Sequence, residues 1–134
     1  MINSLHKAGN TYKRILIVED NKMHSELLKI IIQSSFDAGV VIAENGKEAL
    51  DKITDNCIFD LIIIDIMIPK INGIDVLKAI RKIYKRIPIL MLSALSSSEA
   101  AGESFAAGAD DYATKPIEKS SLMEKISILL EKDL

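Results

Sequence analysis

Between Phe59 and Pro69 the chain reads Phe-Asp-Leu-Ile-Ile-Ile-Asp-Ile-Met-Ile-Pro, so the apolar run Leu61 to Ile64 goes straight into a carboxylate, Asp65. Isoleucine-rich runs suit a pleated strand, and an unbroken apolar run suits a strand covered on both faces, as in a parallel sheet. Open α/β sheets bind ligands at the carboxyl ends of their strands. A charge at the tip of a buried strand is therefore placed where chemistry happens, and Asp65 is the first candidate.

The rest of the chain supplies partners for such a strand. Tyr12 to Val18 forms a first apolar run and stops at Glu19-Asp20. Asn21 is placed to cap a helix whose inward stripe is read as His24, Leu27, Leu28, Ile31 and Ser35, with Ile30 and Ile32 off it. That helix is apolar over more than one face, which fits either a docking surface or simple isoleucine enrichment with partial burial. Val40 to Ala43 is a second strand, and Asn45-Gly46-Lys47-Glu48 opens a helix with Ala49, Leu50 and Ile53 inward. Pro69 ends the third strand, and Asn72-Gly73 turns into a helix carrying Ile74, Leu77, Ile80 and Ile83 or Tyr84. Pro88 opens the strand Ile89 to Leu92, which stops at Ser93-Ala94. Ser96 and Glu99 form a capping-box pattern for a helix closed by Gly108. An interior Gly102 costs that helix about 1 kcal/mol relative to alanine. A short strand around Tyr112 and Ala113 stops at Thr114-Lys115-Pro116, and a last helix carries Leu122, Ile126, Leu129 and Leu130.

Strand and helix thus alternate five times, which implies an α/β fold with a parallel sheet, helices on both faces and right-handed crossovers. Five strands suit the doubly wound, flavodoxin-like order 2-1-3-4-5, with its switch point between strands one and three. Residues 1–11 are polar and read as a loose leader; residues 12–134 form one domain. With 49% apolar residues, 4% aromatics and no tryptophan, the core must come from aliphatic side chains. A net charge of −2 without a basic block offers no footprint for nucleic acid. The lone Cys57 excludes an internal disulfide and suits a small buried hydrophobe. No apolar run reaches the roughly 18 residues of a membrane span, and no secretory signal is evident, so the cytoplasm is the expected compartment.

The expected order places Glu19, Asp20 and Asp65 around one switch point, with the Ser93 hydroxyl and the Lys115 ammonium at the next strand ends. Three carboxylates in one crevice repel, so either one takes up a proton or a cation lies among them. Oxygen-only ligands favour a hard ion such as Mg²⁺. A hydroxyl and a lysine around the same point complete a site for an oxyanion, most plausibly phosphoryl, and a carboxylate beside a metal can act as the nucleophile toward phosphorus. Each residue alone is unremarkable at a strand end; the coincidence of acid, acid, hydroxyl and lysine is specific.

On these residues the sequence resembles the receiver domains of two-component response regulators. The resemblance rests on Ile-Leu-Ile-Val-Glu-Asp-Asn at 15–21, Ala-Glu-Asn-Gly-Lys-Glu-Ala-Leu at 43–50 and Asp-Leu-Ile-Ile-Ile-Asp-Ile-Met-Ile-Pro at 60–69. It continues through Asn-Gly-Ile-Asp-Val-Leu at 72–77, Pro-Ile-Leu-Met-Leu-Ser-Ala at 88–94 and Gly-Ala-Asp-Asp-Tyr-Ala-Thr-Lys-Pro at 108–116. The resemblance implies that Asp65 accepts a phosphoryl group from a phosphohistidine on a sensor histidine kinase or phosphotransfer protein. It implies Mg²⁺ held by Asp20, Glu19, Asp65 and the backbone carbonyl of Met67, with Lys115 on a phosphoryl oxygen. It further implies that Ser93 moves toward the phosphoryl group and Tyr112 rotates inward behind it, altering the surface of helix four, strand five and helix five, where a homodimer could form. The Lys115–Pro116 bond would be cis. No turnover beyond the protein's own phosphoryl group is expected.

Two departures from the family pattern are small: Glu19 stands where aspartate is common, and Ser93 replaces the commoner threonine. Met67 and Leu95 flank the site and cannot orient an attacking water, which predicts slow self-dephosphorylation. Two other classes fit less well. A phosphatase resembling the haloacid dehalogenases wants a second aspartate where Met67 stands. A flavin- or nucleotide-binding protein wants a Gly-, Ser- or Thr-rich turn where Glu19-Asp20-Asn21 stands.

Overall fold

In the computed structural model the described residues are 12–54, 59–66, 72–94 and 98–131. The expectations for the leader and for Cys57, Met67, Pro69, Leu95 and Ser96 fall outside them. Five strands alternate with five helices: β1 Lys13–Val18, α1 Lys22–Ser35, β2 Ala38–Ala43, α2 Gly46–Thr54, β3 Leu61–Asp65, α3 Gly73–Ile83, β4 Ile89–Ser93, α4 Ser98–Ala106, β5 Asp111–Thr114 and α5 Lys119–Leu130. All pairings are parallel, as the alternation predicts, and the strand order is the expected β2-β1-β3-β4-β5.

The period-two alternation along each strand divides the core into two layers. Leu16, Val18, Ile62, Ile64, Ile89 and Met91 face α2 and α3 through Ile53, Val76, Leu77 and Ile80. Ile15, Ile17, Leu61, Ile63, Leu90 and Leu92 face α1 and α5 through Leu28, Ile32, Leu122, Ile126 and Leu129. β3 is buried at all five positions, Asp65 included, which is what its unbroken apolar run requires.

Two helical stripes differ from expectation. α1 buries Ser25, Leu28 and Ile32, whereas His24, Leu27 and Ser35 are exposed and Ile31 is half-buried. Isoleucine and leucine occur on several faces of this helix, so periodicity alone does not choose a face; docking on β1 and β3 does. In α3 the buried residues include Val76, and Tyr84 rather than Ile83 packs on the core, its hydroxyl donating to the Ile53 carbonyl at 3.4 Å.

Helix starts follow local chemistry. Asn21 Oδ1 accepts from the His24 amide at 3.0 Å. Asn45 Oδ1 accepts from the Glu48 amide at 2.9 Å, while Glu48 Oε1 accepts from the Glu44 amide at 2.9 Å. These bonds satisfy amides that have no partner inside a helix. The Lys115–Pro116 bond is cis.

Candidate functional site

The carboxyl ends of β1, β3, β4 and β5 converge because the parallel register aligns them: Val18 pairs with Ile64, Asp65 with Leu92 and Ser93 with Thr114. One step beyond these pairs lie Glu19 and Lys115, and two steps beyond lies Asp20. Carboxylate oxygens of Glu19, Asp20 and Asp65 lie within 4.8 Å of one another. Glu19 and Asp65 are buried, Asp20 is exposed, and Ser93 is fully buried.

Lys115 bridges two of the three acids. Its Nζ lies 2.6 Å from Glu19 Oε1 and 3.1 Å from Asp65 Oδ2. The backbone holds the lysine there: its amide donates to the Ser93 carbonyl at 2.7 Å, so β4 and β5 set the root of the side chain. Burial by itself would depress the ammonium's pKa, but the hydrogen bonds to Glu19 and then Asp65 outweigh it and leave the group above the usual lysine range. Burial pushes the Glu19 carboxyl above its ordinary range, with the Asp65 charge adding to it and Lys115 and the Asn21 amide opposing. The Asn21 amide donates to Glu19 Oε2 at 3.2 Å, so both oxygens of Glu19 have donors.

This donor set fits a hard divalent cation. Among the described residues three carboxylates converge without histidine or cysteine, faced by the Lys115 ammonium, and the exposed Asp20 leaves one side open to water. Lys115 and a cation would therefore draw on the same two buried carboxylates, Glu19 and Asp65.

The sequence expectations for Glu19, Asp20, Asp65, Ser93 and Lys115 are therefore brought together. Tyr112 lies half-buried on β5 opposite Met91, packed against the core layer of α2 and α3. Met67 lies outside the described residues. Two features escaped the reading of the sequence. Gly73 opens α3 directly against the end of β3: its amide donates to the Ile66 carbonyl at 2.8 Å, and an added Cβ would collide with the Asp65 carbonyl oxygen and lie 2.6 Å from Ile66 Cα. The Asn-Gly pair signalled a turn but not this close approach. The second is the pairing of Lys115 with Glu19, residues 96 positions apart.

Beside the site an apolar groove of about 450 Å³ runs between α1 and the segment after β5, with Leu27, Leu28, Ile31, Leu92, Pro116 and Ile117 in its walls. Along α1, Met23, Leu27 and Ile30 are 78%, 54% and 62% exposed, one outward apolar stripe at helical spacing.

Residues 15–127 match the family model described as "Response regulator receiver domain". The transcriptional regulatory protein CpxR of Escherichia coli is 36% identical over 119 residues, covering 89% of this chain and 50% of CpxR. The cell cycle transcriptional regulator CtrA of Caulobacter vibrioides is 33% identical over 121 residues, covering 89% of this chain and 51% of CtrA. The chain thus spans about half the length of these relatives. Among solved structures, a Francisella response regulator receiver domain superposes with a TM-score of 0.82 at 34% identity, covering 89% of this chain and 97% of that one. A CheY-like receiver domain protein from Methanospirillum hungatei gives 0.83 at 34% identity, covering 90% and 94%.

Proposed function

The chain belongs to the response regulator receiver domain family, and on that premise we propose that it is a phosphoacceptor switch in which Asp65 takes a phosphoryl group from a partner's phosphohistidine. The supporting observation is the convergence of Glu19, Asp20 and Asp65 at the strand ends with Lys115 among them. An Asp65 carboxylate oxygen attacks phosphorus as the phosphorus–nitrogen bond breaks. The imidazole leaves with the electron pair and takes up a proton. Glu19, Asp20, Asp65 and the Met67 carbonyl would hold Mg²⁺, which when bound screens the negative charge of the incoming phosphoryl group.

This chain's residues do the rest. Lys115 exchanges its carboxylate partner on Asp65 for a phosphoryl oxygen, a charge-assisted bond of similar strength. Ser93 turns its hydroxyl toward the phosphoryl group, and Tyr112 moves into the space behind it, reshaping the face of α4, β5 and α5. The modification adds negative charge and acceptor oxygens at one point, which is enough to bias a bistable element. A homodimer through that face is one use of the change. The expected setting is the cytoplasm; among the described residues no helix is long and apolar enough to cross a membrane. Met67 and Leu95, two positions after Asp65 and Ser93 respectively in the sequence, are apolar and offer no hydrogen bond to an attacking water, so self-dephosphorylation is slow; a phosphoryl half-life of seconds would refute that.

The decisive experiment adds acetyl phosphate or beryllofluoride with Mg²⁺. One equivalent is expected to react or bind, and Asp65→Asn abolishes the response. Continuous phosphate release from a generic ester would instead support the phosphatase reading. The outward stripe of α1 and the groove beside it suit the helix bundle of a sensor histidine kinase or phosphotransfer protein. Ile30→Glu is therefore expected to slow transfer from such a partner at least about tenfold while sparing acetyl phosphate, since a buried charge replaces an apolar contact. Equal loss with both donors would exclude docking there.

A further inference from the structure

We propose that Arg81 is the fulcrum of α4: the helix is bolted at its carboxyl end and free to swing at the end next to the phosphoacceptor site. The bolt is built from three elements. Arg81, on α3, donates from Nε to the Gly108 carbonyl at 2.9 Å and from Nη2 to Asp110 Oδ2 at 2.9 Å. The same Asp110 oxygen accepts from the Ile89 amide at 2.8 Å, and the Asp110 amide donates to the Ile89 carbonyl at 2.9 Å. The turn after α4 is thereby locked to the start of β4 and the last turn of α3. Arg81 and Asp110 side chains are 14% and 21% exposed, so this pair is shielded from the screening that weakens surface pairs.

Gly108 is shaped to admit the arginine. Its φ of +111° lies where side chains are strained, and an added Cβ would come within 2.9 Å of Arg81 Cγ. The amides of Ala107, Gly108 and Ala109 all bond back into α4, to Glu103, Phe105 and Ser104 carbonyls. Four consecutive amides, from Ala107 to Asp110, are thus occupied.

The rest of α4 buries little apolar surface. It buries only Ala100 and Ser104, and among the described residues no side chain from Ser98–Ala106 joins either apolar core layer. Ser104 spends its hydroxyl within the helix, on the Ala100 carbonyl at 3.0 Å. Nothing lies within 4 Å of a Cβ built on Gly102. Local opening is cheapest where buried apolar contact is least. At 1.5 Å per residue α4 is about 13 Å long, so a rotation of about 10° about Arg81 becomes a displacement of about 2 Å at its amino end. The use of that swing in signalling rests on the phosphoacceptor reading; the fulcrum itself does not.

Amide hydrogen exchange on the whole chain tests it. In the unmodified protein, the amides of Ala107–Asp110 are expected to exchange at least about tenfold more slowly than the hydrogen-bonded amides at 102–103. Arg81→Ala is expected to shrink that gap to about threefold or less while β1 and β3 keep their protection. Should Arg81→Ala lose protection in β1 and β3 as well, Asp110→Asn decides, because it retains an acceptor for the Ile89 amide and removes the ion pair. Absence of the gap in the parent, or its survival in the informative variant, overturns the proposal. With beryllofluoride and Mg²⁺, changes are expected at 98–106 and not at 107–110; an equal change at 107–110 also overturns it. No change anywhere, with the gap intact, counts against the phosphoacceptor reading and leaves the fulcrum standing.

Discussion

α3 and α4 follow the neighbouring strands β3 and β4, yet they are attached to the sheet in opposite ways. α3 buries Gly73, Val76, Leu77 and Ile80 and begins in backbone contact with the end of β3. α4 buries one alanine and one serine and is tied down through the residues that follow it. Fully burying an aliphatic side chain contributes about 1.5–3 kcal/mol, and α3 has three such residues where α4 has none. The comparison teaches that the two sides of the strand-end site are built differently. The helix after β3 presses its first residue on the backbone of Asp65 and Ile66, and the helix after β4 buries only one alanine and one serine.

The two glycines of these helices put that contrast to a direct test. Gly73→Ala drives a methyl group into the backbone of Asp65 and Ile66, where no flexible side chain can yield, so it should cost about 1–3 kcal/mol in chemical denaturation. It should also weaken Mg²⁺ binding, because the end of β3 must shift. A neutral result would show that α3 is no more firmly seated than α4. Gly102→Ala meets open space and should instead raise stability by about 0.5–1 kcal/mol. A loss of stability there would mean that α4 packs more tightly than its burial indicates.

The smallest effect concerns pH and the strand-end site itself. Because burial raises the Glu19 pKa in the folded state, folding takes up a proton between the ordinary carboxylate range and the raised one. Stability therefore falls as pH rises through that window. A bound cation displaces the proton, so Mg²⁺ affinity should weaken as pH falls into the same window. Lys115 runs the other way at high pH: its raised pKa gives a contribution present below the ordinary lysine range and lost as pH climbs through the folded value. Calorimetric Mg²⁺ titrations near neutrality and in mild acid check the Mg²⁺ dependence; equal affinities would remove Glu19 from the residues proposed to hold the cation.

Much of this was legible in the chain. Apolar runs that stop on Glu19-Asp20, Asp65 and Ser93 are local patterns, and strand–helix alternation leaves few topologies open. The caps at Asn21 and Asn45 and the turn at Gly108 were equally local, since each depends on residues a few positions apart. The buried face of α1 was not legible, because Leu27, Leu28, Ile30, Ile31 and Ile32 offer several apolar faces and only the shape of the sheet selects Ser25, Leu28 and Ile32.

By itself, then, the sequence determined the order of elements, the strand ends and the kinds of group they carry, because these follow from near neighbours and period. The tertiary structure alone decided which groups share an atom. Lys115 reaches back 96 positions to Glu19, Arg81 reaches 29 positions to Asp110, and Gly73 presses on the carbonyl of Asp65. No local pattern encodes such pairings; they arise when parallel strands come into register and bring distant side chains within the few ångströms over which charge and hydrogen bonding act.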